Sequence, residues 1–474
     1  MSSETLSQLF RAAADRAAMF RSRTSTLPQA PQKSYREMLA LFEEALPQEG
    51  GVPREILETL ADRAEQGLQM ATGPRFFGWV IGSSHPAGVA VDMLASAYGQ
   101  NTGNHQASPA AAACEAVAAR WLLDLLDLPR TASVGFVTGA TVANFVCLAA
   151  ARGEVLRRAG WDADAEGLFG APEITVLIGE DAHTTVFSAL QYLGFGRARV
   201  RRIPTDAQGR IIAAAFETEC AAITGPAIAV LQAGQINTGD FDPFPALIAA
   251  AHAKGCWVHV DGAFGLWARA SAGYASLATG VEEADSWATD GHKWLQTPYD
   301  CGFAIVRDEL AHRRAMTIAA SYLPSTEGDD RDPSHYVPEL SRRARGFGTW
   351  AVIKALGREG ISALVERHCE VASAMAARLA REPGISIVND VVLNQFMVRF
   401  GSNVNDEAGD DLTRATISQI QRDGVCFAGG ALWRGRQVMR VSVIGFDTGM
   451  AEGARSAEAM IAAYQAARSA RSSQ

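Results

Sequence analysis

The chain has 474 residues, of which 48% are hydrophobic and 20% are charged, and its formal net charge at pH 7 is −9. This length predicts two or three domains, and the composition is typical of a globular enzyme and excludes extensive disorder. The negative charge argues against nucleic acid or an anionic membrane as a partner. No apolar run is long enough to cross a bilayer, so no membrane partner is expected.

Seven cysteines are scattered along the chain without Cys-x-x-Cys spacing. Their odd number and spacing favour a reducing compartment and argue against a disulfide framework or a structural zinc site. The first residues lack the apolar core of a secretory signal, and Glu4 and Asp15 argue against an organellar transit peptide. We therefore expect a cytoplasmic protein with no metal site.

The N-terminal region has helical spacing but little core of its own. Apolar residues form one stripe over residues 5–20, and further helices are predicted at Tyr35–Ala45 and after Pro53. We expect this region to lie against another surface, most simply a second subunit. Residues 74–92 then combine clustered aromatics with Gly, Ser and His-Pro, which is typical of a pocket-lining loop, although such aromatics are more often core.

After an Ala-rich helix at Ser108–Asp127, short apolar runs alternate with helical patterns. The runs are Val134–Val137, Ile174–Ile178, Val200–Ile203, Ile228–Leu231, Trp257–Val260, Asp285–Ala288 and Phe303–Val306. Successive strand–helix units predict an α/β fold with a mainly parallel sheet covered on both faces.

The alternation stops after Arg307. Residues 322–345 are polar and acidic and are predicted as a surface loop, and the remainder mixes helices with strands as in a smaller α+β domain. The predicted division is therefore an N-terminal helical segment at 1–72, a large α/β domain at 73–345 and a small domain at 346–474.

Two strand ends carry the residues of greatest chemical interest. Asp261 ends the run that begins at Trp257, and Lys293 follows the next run. Both are expected on the sheet edge where α/β proteins bind ligands. Singly, such an Asp is often only a helix N-cap and such a Lys is usually solvated. Together, a carboxylate and an amine facing one site suit a pyridine cofactor that carries an aldehyde.

The sequence Asp-Gly-Ala at 261–263 and Gly-His-Lys-Trp at 291–294 resembles the group II amino-acid decarboxylases, which are pyridoxal-phosphate (PLP) enzymes of fold type I. That family has a His-Val-Asp-Ala strand end and a His-Lys-Trp loop. The resemblance implies a seven-stranded sheet in the large domain and an N-terminal segment that packs across a homodimer. It also implies that Lys293 links covalently to the cofactor, that Asp261 pairs with the ring nitrogen and that Ala263 supports one ring face.

Further motifs extend this resemblance. Residues 138–144, Thr-Gly-Ala-Thr-Val-Ala-Asn, resemble the family's Ser-Gly-Gly-Thr-Glu-Ala-Asn phosphate motif, so Ala140 and Thr141, with His292, are expected at the phosphate. His183 would by itself be a structural histidine. The resemblance implies that it stacks on the ring as a catalytic residue, and that Thr238 or Asn237 reaches the phenolic oxygen.

The resemblance also implies roles in substrate binding and proton transfer. Phe77, Trp79 and His85 would line the side-chain pocket, and Arg345, in a segment like the family's Gly-Arg-Arg-x-Arg, would lie near substrate or phosphate. Tyr336 is the preferred proton donor over Tyr322, the other tyrosine of its loop.

The resulting prediction is PLP-dependent decarboxylation of an L-amino acid, with an aromatic substrate slightly favoured. Aromatic-specific members carry Pro-Thr where Ile81 and Gly82 stand, which weakens the choice of substrate. Two alternatives keep PLP: another carbon–carbon lyase and an oxidative aldehyde synthase. A third alternative is a non-catalytic metabolite-binding scaffold.

Overall fold

The computed structural model describes residues 3–317, 330–401 and 406–472. Two compact units emerge. The large unit comprises Gly82–Ala372 and Asn389–Phe396, and the small unit comprises Met1–Ile81, Ser373–Val388 and Met397–Gln474. The three-segment division stays a prediction, because compactness alone does not define a domain.

In the large unit, the described residues form a seven-stranded sheet of order β1-β7-β6-β5-β4-β2-β3. Its strands are β1 (Ser133–Val137), β2 (Thr175–Gly179), β3 (Val200–Ile203), β4 (Ala227–Gln232), β5 (Trp257–Asp261), β6 (Ser286–Asp290) and β7 (Gly302–Val306). Only β7 runs antiparallel to its neighbours, β1 and β6, within this described sheet. The mainly parallel sheet of the predicted fold class is confirmed.

The apolar runs mark these strands because the sheet is buried on both faces. Every residue of β1, β4, β5, β6 and β7 is buried. Continuous apolar sequence is what such strands require. The edge strand β3 differs, since Arg201 and Arg202 are exposed.

Helices flank this sheet. They are α4 (Pro86–Tyr98), α5 (Pro109–Leu125), α6 (Ala140–Arg158), α7 (Ala163–Glu166), α8 (Thr184–Tyr192), α9 (Ala213–Ala221), α10 (Phe244–His252) and α11 (Glu309–Met316). A longer helix, α12 (Arg345–Leu379), has a kink at Gly357, whose φ of 64° lies in the left-handed region that glycine tolerates. Helix α6 contributes Val146 and Leu148 to the core formed with β2 and β4.

The small unit combines N-terminal helices with C-terminal helices and strands. Its elements are α1 (Ser3–Arg23), α2 (Tyr35–Phe42), α3 (Pro53–Ala64), β8 (Ile385–Ile387), most of β9 (Gln395–Phe400), β10 (Gly429–Trp433), β11 (Arg436–Ser442), α13 (Asp406–Asp423) and α14 (Met450–Ser472). The described strands form a sheet of order β10-β11-β9-β8, with Met397, Trp433 and Val438 packed together. The expected small α+β part of the fold is confirmed. Among the described helices, none has the length and apolar character of a membrane span.

The predicted surface loop at 322–345 is corrected where the structure describes it, from residue 330 onward. Asp332, Tyr336 and Arg342 are buried there. The Arg342 guanidinium donates to both carboxylate oxygens of Glu115, at 2.9 and 2.8 Å, and Glu115 is fully buried. A polar sequence can fold inward when its charges are paired in this way. Tyr322 lies outside the described residues.

Candidate active site

A cavity of about 320 Å³ lies beyond the carboxyl ends of β1, β2, β4, β5 and β6 in the large unit. Open α/β sheets bind their ligands at this edge. The cavity brings together seven residues predicted from the sequence: Ala140, Thr141, His183, Asp261, Ala263, His292 and Lys293. It is also lined by residues that were not predicted: Thr138, Gly139, Thr185, Gln232, Gly234, Ile236, Phe264 and Asp290.

Asp261 is the last residue of β5 and is only 5% exposed. Its Oδ1 accepts a hydrogen bond from the Ala263 backbone N–H at 3.2 Å. Burial raises the pKa of this carboxyl to about 6, although the nearby charge of Lys293 opposes the rise. A cationic partner inside the cavity would therefore hold Asp261 ionised.

Lys293 lies in the loop after β6, the strand next to β5 in the sheet. Its Nζ is 3.0 Å from Oδ2 of Asp290, the last residue of β6. The other oxygen of Asp290 accepts a hydrogen bond from the Ala140 backbone N–H at 2.6 Å. Asp290 thus connects the lysine loop to the start of α6. The sequence could have indicated Asp290 as a site residue, because it ends a buried strand just as Asp261 does.

The start of α6 forms an anion-binding corner with His292. Helix α6 begins at Ala140, and Ala140 and Thr141 both line the cavity, where the helix dipole favours negative charge. The Cys301 backbone N–H donates to His292 Nδ1 at 3.2 Å, so Nε2 carries the proton of the neutral ring. Burial lowers the pKa of His292, which favours that neutral form.

His183 and Ala263 supply a flat group and a small group on the cavity wall. His183 caps the N-terminus of α8, and its Nδ1 accepts a hydrogen bond from the Thr185 backbone N–H at 3.3 Å. The Thr185 hydroxyl lies 2.7 Å from the same nitrogen. These contacts orient the imidazole, so Thr185 is a functional candidate that the sequence did not single out.

These residues fit pyridoxal phosphate. A buried carboxyl with a raised pKa suits the ring nitrogen, an amine suits the aldehyde, and the start of α6 with His292 suits the phosphate. No group of three His, Cys, Asp or Glu side chains in the described ranges could hold a metal ion.

The prediction for Thr238 is corrected. Its side chain is fully buried, and its hydroxyl donates to the Gln208 carbonyl at 2.7 Å. The same oxygen accepts a hydrogen bond from the Asp240 backbone N–H at 3.2 Å. Thr238 therefore holds its own loop together and does not line the cavity.

The geometry also argues against Tyr336 as the proton donor. Tyr336 is 4% exposed, and its hydroxyl donates to Glu309. The ring lies beside Ser133 and Val134 at the amino end of β1, whereas the cavity lies beyond the carboxyl end of that strand. Burial and Glu309 raise the pKa of Tyr336 to about 12. Proton transfer from this phenol would require that contact to break.

None of the predicted substrate residues lines the cavity. Arg345 donates from Nε to Asp300 at 2.8 Å, and His85 caps α4 by accepting from the Ala87 N–H. Phe77 and Trp79 belong to the small unit, where Phe77 is fully buried and Trp79 is 52% exposed. Their roles stay predictions.

The fold and the cavity define a PLP-dependent enzyme of fold type I. Comparison with known proteins identifies the family: the model of the "Pyridoxal-dependent decarboxylase conserved domain" matches residues 35–400. The chain belongs to this family, and it is a carboxy-lyase that uses pyridoxal phosphate.

Individual relatives are similar over most of the chain. Aromatic-L-amino-acid decarboxylase of Bos taurus is 30% identical over 382 residues, covering 76% of this chain and 77% of its own. Phenylacetaldehyde synthase of Arabidopsis thaliana is 24% identical, covering 82% and 81%. The crystal structure of Oryza sativa TDC with PLP and tryptamine superposes with a TM-score of 0.90 at 22% identity, covering 98% of each chain.

Proposed function

We propose that this enzyme decarboxylates an L-amino acid to the corresponding amine and carbon dioxide, and that an aromatic amino acid is its preferred substrate. One observation carries the proposal: Asp261 ends β5, Lys293 follows the neighbouring strand β6, and both line one cavity. The Bos taurus relative is named for aromatic L-amino acids, and the similar Oryza sativa structure contains tryptamine. Phe264 and Ile236 contribute apolar side chains to the wall of this cavity.

When bound, pyridoxal phosphate supplies an electron-poor ring that accepts the electron pair released as carbon dioxide leaves. Asp261 would pair with the ring nitrogen and keep it protonated, and the Lys293 amine would hold the cofactor at its aldehyde. His183 and Ala263 would lie against the ring, and the Nε2–H of His183, whose Nδ1 accepts from Thr185, would be available to the substrate carboxylate. Lys293 and His183 carry protons that either side chain can deliver to the substrate carbon.

Incubation of the purified holoenzyme with a panel of L-amino acids tests the proposal. Carbon dioxide and the matching amine are expected in equal amounts, with the highest kcat/KM for an aromatic member. Absence of carbon dioxide from every member, with cofactor bound, would reject it. A preference for a charged or small amino acid would leave decarboxylation standing and reject the aromatic preference.

A second candidate is oxidative aldehyde synthesis. It is favoured by the position of Tyr336 outside the cavity and by the similarity to phenylacetaldehyde synthase. Without a phenol beside the reacting carbon, oxygen can compete with the proton for that carbon. Hydrogen peroxide and aldehyde formed in step with carbon dioxide would establish this activity, and amine without peroxide would exclude it.

We further propose that the enzyme is a homodimer formed through its N-terminal helices. Helices α2 and α3 bury no residue within the chain. They expose apolar side chains that monomers rarely leave in water: Tyr35 at 79%, Leu39 at 50%, Ile56 at 56% and Leu60 at 55%. A second subunit is the partner expected for such a surface.

We infer a cytoplasmic location from the cysteines. All seven are free thiols, and six of them are buried. Thiols remain unpaired in reducing compartments. Localisation of a tagged protein in its host would test this inference, and export of the chain would contradict it.

A further inference from the structure

The anion-binding corner of the cavity contains a negative charge of its own. Asp290 ends β6, is 2% exposed and lines the cavity. Its Oδ1 accepts a hydrogen bond from the Ala140 backbone N–H at 2.6 Å and lies 3.5 Å from His292 Nε2. Its Oδ2 lies 3.0 Å from Lys293 Nζ. The two oxygens of one carboxylate therefore lie beside three groups that the cofactor would also use.

The backbone of Asp290 keeps this carboxylate in the corner. The Asp290 N–H donates to the Ala263 carbonyl at 2.9 Å, and Trp267 Nε1 donates to the Asp290 carbonyl at 2.9 Å. The side chain lies against the turn that opens α6, because a Cβ on Gly139 would be 3.2 Å from its Oδ1. Since the backbone is held, the carboxylate leaves the turn by rotation of its side chain, which breaks the hydrogen bond from Ala140.

The side chains of the cavity supply little positive charge to balance a further anion. Among the described residues that line the cavity, Lys293 is the only lysine or arginine, whereas Asp261 and Asp290 are both acids. Burial lowers the pKa of His292, which favours its neutral ring. A phosphate group brings about 1.5 to 2 negative charges at pH 7, and like charges in one buried corner repel each other. The phosphate therefore has to share its donors with Asp290 or displace it.

We propose that Asp290 is a determinant of cofactor affinity, because its carboxylate competes with the phosphate of PLP for the Ala140 N–H and for His292. This inference rests on the assignment of the anion-binding corner to the phosphate. The enzyme then binds PLP less tightly than these donors alone would allow, and the fraction of enzyme that carries the cofactor follows the PLP concentration.

The contact between Asp290 and Lys293 has to be separated from this competition. Removal of the Asp290 charge would change how the Lys293 amine meets any aldehyde, whether or not the aldehyde carries a phosphate. Pyridoxal isolates that effect, because it has the ring and the aldehyde of PLP and no phosphate. The ratio of the pyridoxal and PLP dissociation constants therefore measures the contribution of the phosphate alone.

The test titrates the full-length chain, freed of cofactor, with PLP and with pyridoxal and follows the absorbance change on binding. Asp290→Asn keeps the shape of the side chain and an oxygen for the Ala140 N–H but removes the charge. We expect the ratio of the pyridoxal to the PLP dissociation constant to rise about tenfold or more in this variant. A ratio that is unchanged or lower would overturn the proposal. Asp290→Ser, which also keeps an acceptor oxygen, decides if Asp290→Asn does not fold.

Asp261→Asn is the matched control, because Asp261 is the other buried acid of the cavity and is assigned to the ring nitrogen. It should weaken the binding of both ligands and leave their ratio within about twofold. Thr141→Val tests the assignment of the corner itself. If it lowers the ratio while Asp290→Asn leaves it unchanged, the competition is overturned and the phosphate site stands. If neither variant changes the ratio, the assignment of the corner fails, and the proposal fails with it.

Discussion

At the scale of single residues, the Asp261 carboxyl determines part of the response of the free protein to pH. Burial raises its pKa from the ordinary 3.8 to about 6, so the folded state holds this proton more tightly than the unfolded state. The contribution of Asp261 to the free energy of unfolding of the cofactor-free protein should therefore fall as pH rises from about 4 to about 6. It opposes the contribution of the buried histidines His259 and His312, whose pKa burial lowers to about 3. Denaturant unfolding at a series of pH values measures this slope.

Asp242 provides the comparison for that slope. Burial raises its pKa to about 7, and its carboxylate accepts hydrogen bonds from the Ile211 and Gln232 backbone N–H groups. It contributes a slope of the same sign as Asp261, and Asp261→Asn should remove the Asp261 contribution between pH 4 and 6 while leaving that of Asp242 in place. An identical slope in wild type and Asp261→Asn would contradict the assignment.

A substitution of Thr238 tests whether this residue lies outside the cofactor site, as the structure indicates. Because its hydroxyl bonds to the Gln208 carbonyl and not to the cavity, Thr238→Val should cost about 1 kcal/mol of stability and leave the PLP dissociation constant within about twofold. Thr141→Val, in the cavity wall, should weaken PLP binding about tenfold. Equal loss of PLP affinity in both variants would show that Thr238 takes part in cofactor binding.

The residues that the sequence predicted at or after strand ends line the cavity, whereas two residues that it predicted in long loops do not. Asp261, His183 and Lys293 are placed by the sheet, whose geometry a short apolar run already indicates. The positions of Thr238 and Tyr336 depend on how a loop folds. The hydroxyl of each residue donates to an acceptor outside the cavity, and no local sequence pattern indicates that acceptor.

At the scale of elements, the anion-binding corner at the start of α6 depends on close contact between the turn after β1 and strand β7. A Cβ on Gly302 would lie 2.5 Å from the Gly139 Cα. Gly302→Ala should therefore displace this turn, cost about 1–3 kcal/mol of stability and weaken PLP binding. Chemical denaturation and cofactor titration measure the two effects.

Gly348, in α12, is the matched site for that substitution. A Cβ there would make only an ordinary contact, 3.8 Å from Pro298. Gly348→Ala should be neutral or stabilising by up to about 1 kcal/mol, since alanine is the better helix former. If Gly302→Ala likewise left stability and PLP binding unchanged, the close contact would not position the anion-binding corner.

Strands were easier to predict than helices for a physical reason. Burial on both faces leaves a continuous apolar signature, as in Phe303–Val306 within β7. Helix α11 escaped prediction because it is short and mostly polar, although Asp308 caps it by accepting from the Leu310 and Ala311 N–H groups. Helix α4 was hidden in a segment interpreted as a loop because of its neighbouring glycine, serines and His-Pro.

At the scale of the whole molecule, the apolar faces of α2 and α3 predict self-association. The double variant Leu39→Glu, Leu60→Glu places charges on two exposed apolar positions of these helices. It should raise the dimer dissociation constant at least about 100-fold, because two buried leucines contribute about 3 kcal/mol or more. Sedimentation velocity over a range of concentrations measures it.

Leu310→Glu is the control for that variant, since Leu310 is 64% exposed on α11, outside the N-terminal helices. It should leave the dimer intact. A monomeric wild type, or a double variant that sediments like wild type, would contradict the proposed interface.

The central claim is that one amine, Lys293, carries the cofactor. The sequence contains only four lysines, Lys33, Lys254, Lys293 and Lys354, so a covalent label can be assigned without ambiguity. Reduction of the PLP-loaded enzyme with borohydride followed by peptide mass spectrometry should find the pyridoxyl group on Lys293. A label on any other lysine, or no label on a protein with full cofactor content, would contradict this account.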